Sequence, residues 1–167
     1  MKKYAILLIL FAAFAANAQQ NKFAETTAAT KGIATKYFDL YMAMDWDKME
    51  PLMHADITFE DPTAHGMFGD KRPVGKADVL KNFREGYASL TGMKAKLSRT
   101  FFSSNAAAFE LDLIFGFRNR QNGITTITMP LVVTLLIKDG KVIEHRDFGD
   151  YTEYVRQVKA SQEKSSK

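Results

Sequence analysis

An α+β fold is predicted by the order of two patterns along the chain. Apolar residues recur at three- and four-residue steps chiefly in the first half and alternate chiefly in the second. Asn122-Gly123 and Asp139-Gly140 separate the last three alternating runs, which makes that part an antiparallel meander. No internal repeat and no internal linker interrupts the sequence, so a single domain accounts for it.

The first 18 residues read as a secretory signal peptide, because Lys2-Lys3 precede an apolar run from Tyr4 to Ala16 and Ala16-Asn17-Ala18 supplies an A-x-A site. Cleavage is expected between Ala18 and Gln19, giving a periplasmic or secreted protein with no membrane association once the signal is gone. The apolar run is shorter than the roughly 20 residues of a membrane-spanning helix. Removing 18 of 167 residues leaves 149, enough for a core without staples. There is no cysteine, which excludes a disulfide framework and a lipid-anchored cysteine. The pI near 9.2 invites an anionic partner. Lys2 and Lys3 nevertheless contribute two of the 23 basic residues, leaving 21 against 19 acids in scattered positions, and nucleic-acid binding is not expected.

In the mature chain, Ile33, Tyr37, Leu40, Tyr41 and Met44 form one apolar stripe on a helix from about Ala24 to Met44. A short helix follows from Asp47 to Met53, with Pro51 in its early part. A third runs from about Lys76 to Ser89, with Val79, Leu80, Phe83 and Tyr87 on one face. The strands are Ile57 to Asp61, Lys94 to Ser103, Ala106 to Arg118, Ile124 to Lys138, and Lys141 to Phe148. One or two helical turns through Tyr151, Tyr154, Val155 and Val158 come next, and Lys159 to Lys167 is a polar, frayed tail.

Alternation assigns the direction of each side chain. Phe109, Leu111, Leu113, Phe115 and Phe117 face the core from the third strand; Ile127, Met129, Leu131, Val133 and Leu135 do so from the fourth. The same rule turns Asp61 inward with Ile57 and Phe59, and turns Asp147 inward with Ile143 and His145. On the second strand Ala95, Leu97 and Phe101 would carry Arg99 inside as a counter-ion. A carboxylate on an apolar face is costly unless it is hydrogen-bonded, paired or wet, so these acids mark a site. Structural roles stand beside that reading. Asp61 precedes Pro62 and is placed to cap a turn, Asp147 is placed to pair with Arg99 or His145, and Tyr37 and Tyr41 fit the core with hydroxyl partners.

The segments "KYFDLYMAMDWDKMEPLMHADITFEDP", "GKADVLKNF" and "IKDGKVIEHRDFGDY" resemble the nuclear transport factor 2-like superfamily, above all its SnoaL-like and ketosteroid isomerase-like branches, over about Gly32 to Tyr151. The resemblance implies a cone in which helices pack on a strongly curved, mixed or antiparallel sheet with an internal pocket. Similarity to ketosteroid isomerases implies Tyr37 as the donor to an enolate and Asp61 as the proton shuttle; the position of their second acid appears as Val132 or Val133 here. Similarity to limonene epoxide hydrolase implies Asp147 as the water-activating acid, with Phe59 and Asp61 at its helper positions and Leu111 and Leu113 where its arginine and acid pair stands.

The expected site therefore comprises Asp61, Asp147, Tyr37 and His145 as catalytic residues, and Phe38, Tyr41, Phe59, Leu111, Leu113, Met129 and Leu131 as ligand-binding residues. Pro62 to Gly75 is a long connection with Met67-Phe68 at its middle, suited to close over the pocket; His65 within it reads as solvated. No Walker loop, G-x-S-x-G, G-x-G-x-x-G or cysteine nucleophile occurs, and His54, His65 and His145 lack the spacing of a helical zinc site, so neither cofactor nor metal is expected. The expected partner is a small apolar molecule, with a homodimer formed through the outer sheet face. Two functions stay open: general acid–base catalysis of isomerase, dehydratase or hydrolase type, and a binding module without catalysis.

Overall fold

The computed structural model describes residues 2–119 and 123–165. Five strands form one open, curved sheet in the order β1-β5-β4-β3-β2. They are β1 (Met53–Glu60), β2 (Leu90–Phe102), β3 (Ala106–Arg118), β4 (Ile124–Lys138) and β5 (Lys141–Gly149). β1 runs parallel to β5 and the remaining neighbours are antiparallel, so the sheet is mixed. The helices are α1 (Lys2–Met42), α2 (Trp46–Met49), α3 (His65–Phe68), α4 (Lys76–Gly86) and α5 (Tyr151–Ser165). β2 to β5 follow one another without an intervening helix, and the predicted α+β class holds.

α1 is longer than expected at its N-terminal end. No glycine or proline stands between Lys2 and Lys31, and the polar Gln19 to Asn21 segment does not stop a helix, so the predicted signal segment continues into α1 with Ala18 and Gln19 inside it. The helix ends at Met42 by a Schellman arrangement: Met44 takes φ 54°, its N–H bonds Tyr41 O at 3.0 Å, and Asp45 N–H bonds Leu40 O at 3.0 Å. The Asp45 side chain then accepts from Lys48 N–H at 3.2 Å, starting α2. This tight reversal holds Tyr41 in the last turn of α1. The predicted second helix is cut short, because Pro51 falls in a 3₁₀ turn (Glu50–Leu52) and buried Met53 already begins β1.

Two bulges correct the assigned directions. Register shifts between Leu97 and Arg99 on β2, so Phe102 turns onto Phe109 while Phe101 faces solvent at 58% exposure. Arg99 lies on the outer face in a bidentate pair with Glu110 (2.9 and 3.0 Å) and is no counter-ion for the inner acids. A second shift lies between Leu136 and Ile137, which makes Val142, not Ile143, the buried residue at the start of β5. Of the two predicted hairpin turns, Asp139-Gly140 has both φ angles positive (51° and 72°), as a type I′ turn requires. Asn122 of the other lies outside the described residues.

α5 is not one or two turns but 15 residues long, reaching into the predicted polar tail as far as Ser165. β5 pairs with β4 only from Leu131 onward. Beyond it the Gln157 carboxamide takes the place of a strand, accepting from Thr128 N–H at 3.0 Å and donating to Thr128 O at 2.6 Å. At the β1 edge of the sheet the segment before α4 returns to β1, with Phe59 N–H on Pro73 O and Gly75 N–H on Ile57 O. The core lies between α1 and α4 on one side and the inner sheet face on the other; Tyr37, Tyr41, Met49, Ile57, Phe83 and Phe109 are fully or almost fully buried in it.

Candidate functional site

β5 brings His145 and Asp147 to the inner face two residues apart, opposite Leu135 and Val133 of β4. Both are buried, His145 completely. His145 Nε2 lies 2.9 Å from Asp147 Oδ1, and Tyr37 Oη lies 3.1 Å from His145 Nδ1. With the hydrogen on Nε2, both contacts are made at once: Tyr37 donates to Nδ1 and Nε2–H donates to the carboxylate. The other carboxylate oxygen accepts from Tyr41 Oη at 2.6 Å, and Tyr41 Oη stands 2.5 Å from Tyr87 Oη. Tyr37 and Tyr41 are one helical turn apart on α1, which sets both hydroxyls against β5. The rings of Tyr37, Tyr41, Phe59 and Phe83 enclose the imidazole at centroid distances of 4.6 to 5.6 Å.

Asp61 stands one residue beyond β1 and is buried at the head of the following turn. Its Oδ1 accepts from Thr63 N–H, Ala64 N–H and Thr63 Oγ1 at 3.0, 3.0 and 2.5 Å; Oδ2 accepts from Tyr151 Oη at 2.6 Å. Thr63 Oγ1 in turn receives Gly149 N–H at 2.8 Å, tying the end of β5 to the same turn. At Gly149 a Cβ would stand 2.8 Å from Met129 Cε and 3.2 Å from the Tyr151 ring, so glycine lets these two side chains close on the strand end. The turn-capping and inward readings of Asp61 therefore coexist in one side chain.

A cavity of about 450 Å³ opens between the inner sheet face, α4, α5 and the connection carrying α3. Asp61 and Asp147 both line it, with Tyr41, Phe59, Leu113, Met129 and Leu131 from the predicted ligand set. Phe38 and Leu111 do not. Phe38 stacks on Phe109 at 4.2 Å, filling the end of the core beneath α1, and Leu111 is buried away from the cavity. Tyr37 and His145 are also absent from the wall and stand behind Asp147. Val133 is buried opposite Asp147, so that position brings no second acid to the wall.

Residues missed by the sequence reading complete the site. Tyr87 at the end of α4 and Tyr151 at the start of α5 each supply a hydroxyl to the network around an acid. Their places on apolar helix faces were visible, but the partners are distant in sequence. His65 is not solvated: it lines the cavity, half-buried, with Nε2 3.3 Å from Asp70 Oδ1 and 4.0 Å from Glu60 Oε1 and no hydrogen bond. Of Met67-Phe68, Phe68 lines the cavity and its ring meets Tyr151 and Tyr154, whereas Met67 does not line it.

Burial raises the hydroxyls of Tyr37 and Tyr41 well above their ordinary value, and the nearby Asp147 charge adds to this. Tyr87 is raised by burial and then by Asp147, and Tyr151 by burial and then by its bond to Asp61. All four are neutral phenols at ordinary pH, available as donors and not as bases. Among the described residues no group of three or more His, Asp or Glu is placed to hold a metal ion.

Residues 34–145 match the family model described as SnoaL-like domain. A protein assigned as a SnoaL-like polyketide cyclase from Shewanella putrefaciens shares the fold with a TM-score of 0.69 at 18% identity, over 78% of this chain and 96% of that one. A protein assigned as a ketosteroid isomerase from Kribbella flavida aligns with a TM-score of 0.58 at 25% identity, over 74% and 79%. A nuclear transport factor 2-like protein from Anabaena variabilis gives 0.61 at 20% identity, over 73% and 90%. No curated protein matches the chain in sequence. With two thirds of its length inside the domain, this chain belongs to the SnoaL-like family of the nuclear transport factor 2-like superfamily.

Proposed function

We propose that the protein binds a small, largely apolar molecule in this cavity and acts on it by general acid–base chemistry of isomerase, dehydratase or hydrolase type, with Asp147 as the base. One observation carries the reading: the Asp147 carboxylate lines a cavity among Phe59, Leu113, Met129 and Leu131, while His145 and Tyr37 fix it from behind. Asp61 holds four donors, so its first duty is to organise the turn. A proton taken from a carbon next to a carbonyl, or from water, would pass to Asp147. Tyr41 already gives its hydrogen to Asp147, whereas the Tyr87 hydrogen is free to turn from Tyr41 toward an oxyanion forming in the cavity.

The test is turnover by Asp147→Asn and Asp61→Asn across a panel of apolar carbonyl and epoxide compounds. Asp147→Asn should lose at least about a hundredfold in kcat with KM little changed, the range general base catalysis supplies. Retention of full turnover by that variant overturns the assignment. A binding module without catalysis is the second reading, favoured because each inner acid already has protein donors on both oxygens; it expects binding without turnover of any compound.

Residues 1–18 direct export, and N-terminal sequencing of protein recovered outside the cytoplasm should begin at Gln19. A homodimer forms through the outer sheet face, where Phe148 and Val132 are neighbours and Phe148 is exposed; sedimentation of the wild type against Phe148→Glu tests it.

A further inference from the structure

We propose that the cavity's ligand is an amphipathic anion, an aromatic body bearing a carboxylate or comparable acid, whose charge is read by Lys71 and Arg118. This deepens the binding function proposed above and rests on it. Apart from His65, four ionisable side chains of the charged types line the cavity: Asp61, Asp147, Lys71 and Arg118. The two acids are satisfied internally, by four donors and by two.

The two cations are not. Neither the Lys71 ammonium nor the Arg118 guanidinium has an ion-pair or hydrogen-bond partner among the described residues. Every other described arginine has one: Arg72 with Asp70, Arg84 with Asp47, Arg99 with Glu110, Arg146 with Glu60, and Arg156 with Glu153. A surface that pairs its arginines so consistently leaves one free at a cavity wall, together with a lysine from the connection opposite in sequence. Two cationic residues on the wall of one cavity suit a carboxylate or sulfonate.

The body of the ligand is read from the rings nearby. Phe115 and Phe117, on the inner face of β3, line the cavity with Phe68 and Tyr154, and Phe115 lies nearly parallel to Tyr154 (14°, centroids 6.1 Å apart). Flat apolar surface beside free positive charge selects an aromatic acid over a neutral terpene or a sugar.

Two fluorescent probes with the same rings separate charge from shape: 1-anilinonaphthalene-8-sulfonate and neutral N-phenyl-1-naphthylamine. Their Kd values are measured at low and high salt on the wild type, on Lys71→Gln/Arg118→Gln, and on Lys138→Gln/Lys141→Gln, which removes the same charge from the exposed β4–β5 turn. The anionic probe should bind the wild type at least roughly tenfold tighter than the neutral one, and salt should erode that margin. Lys71→Gln/Arg118→Gln should abolish the margin and leave the neutral probe unchanged; both residues are exposed, so folding is not at stake. Equal affinities on the wild type, or equal losses in the two double variants, overturn the anion assignment while the apolar cavity stands. Failure of both probes to bind the wild type overturns the cavity reading itself.

Discussion

Tyr41 Oη and Asp147 Oδ2 meet at 2.6 Å across 106 residues of sequence, and that contact joins the last turn of α1 to the middle of the inner sheet face. Both residues are buried. Tyr41→Phe should therefore cost about 1–3 kcal/mol in a denaturant titration, because the carboxylate loses a donor that the fold supplies. A cost indistinguishable from zero would show that the bond is not formed in solution.

Tyr37→Phe distinguishes the layer behind the wall from the wall itself. It strands His145 Nδ1 in the core and should cost a similar ~1–3 kcal/mol, yet probe affinity should stay within about twofold because Tyr37 does not line the cavity. A loss of affinity much larger than the loss of stability would place Tyr37 in contact with ligand, as the isomerase resemblance implied.

The raised hydroxyls set a stability limit in alkali. In the unfolded chain each tyrosine ionises near 10.0, while Tyr37, Tyr41, Tyr87 and Tyr151 resist ionisation when folded. The unfolded state thus releases protons first; stability is complete below about pH 10 and falls as pH rises above it. Absorbance of tyrosinate at 295 nm should show these four titrating together with loss of circular dichroism. A smooth titration in a folded protein would contradict the buried network.

Gly149→Ala should disturb both acids' surroundings without touching either acid. The new methyl meets Met129 Cε, which can swing away, and the Tyr151 ring, which is tied to Asp61. A cost of about 1–3 kcal/mol is expected from overpacking, with a weakened Asp61 to Tyr151 contact visible as an easier Tyr151 titration. Unchanged stability and titration would mean that the end of β5 moves freely.

Much of this was legible because alternation needs only local sequence. The inward turn of Asp61 and Asp147, the walls from Leu113, Met129 and Leu131, and the α+β order all follow from periods of two and of three to four. What was not legible depends on events that leave no local mark. The bulge after Leu97 adds one residue to β2 and so sends Arg99 and Phe101 outward, and the shift near Ile137 trades Ile143 for Val142. Tyr87 and Tyr151 look like ordinary apolar-face residues until the fold brings each to an acid 60 and 90 residues away in the chain, respectively. Tyr37 and Tyr41 share one stripe, and only the depth of the cavity decides which of them is reached from it.

Where β5 gives out, β4 would otherwise offer a bare rail of amide and carbonyl groups at Thr128, an invitation to any passing extended peptide. The Gln157 carboxamide seals that rail with a single side chain. The C-terminal helix is thus a guard against fibrous self-association as well as a wall, and a chain trimmed before Gln157 would be expected to stick to itself before it failed to fold.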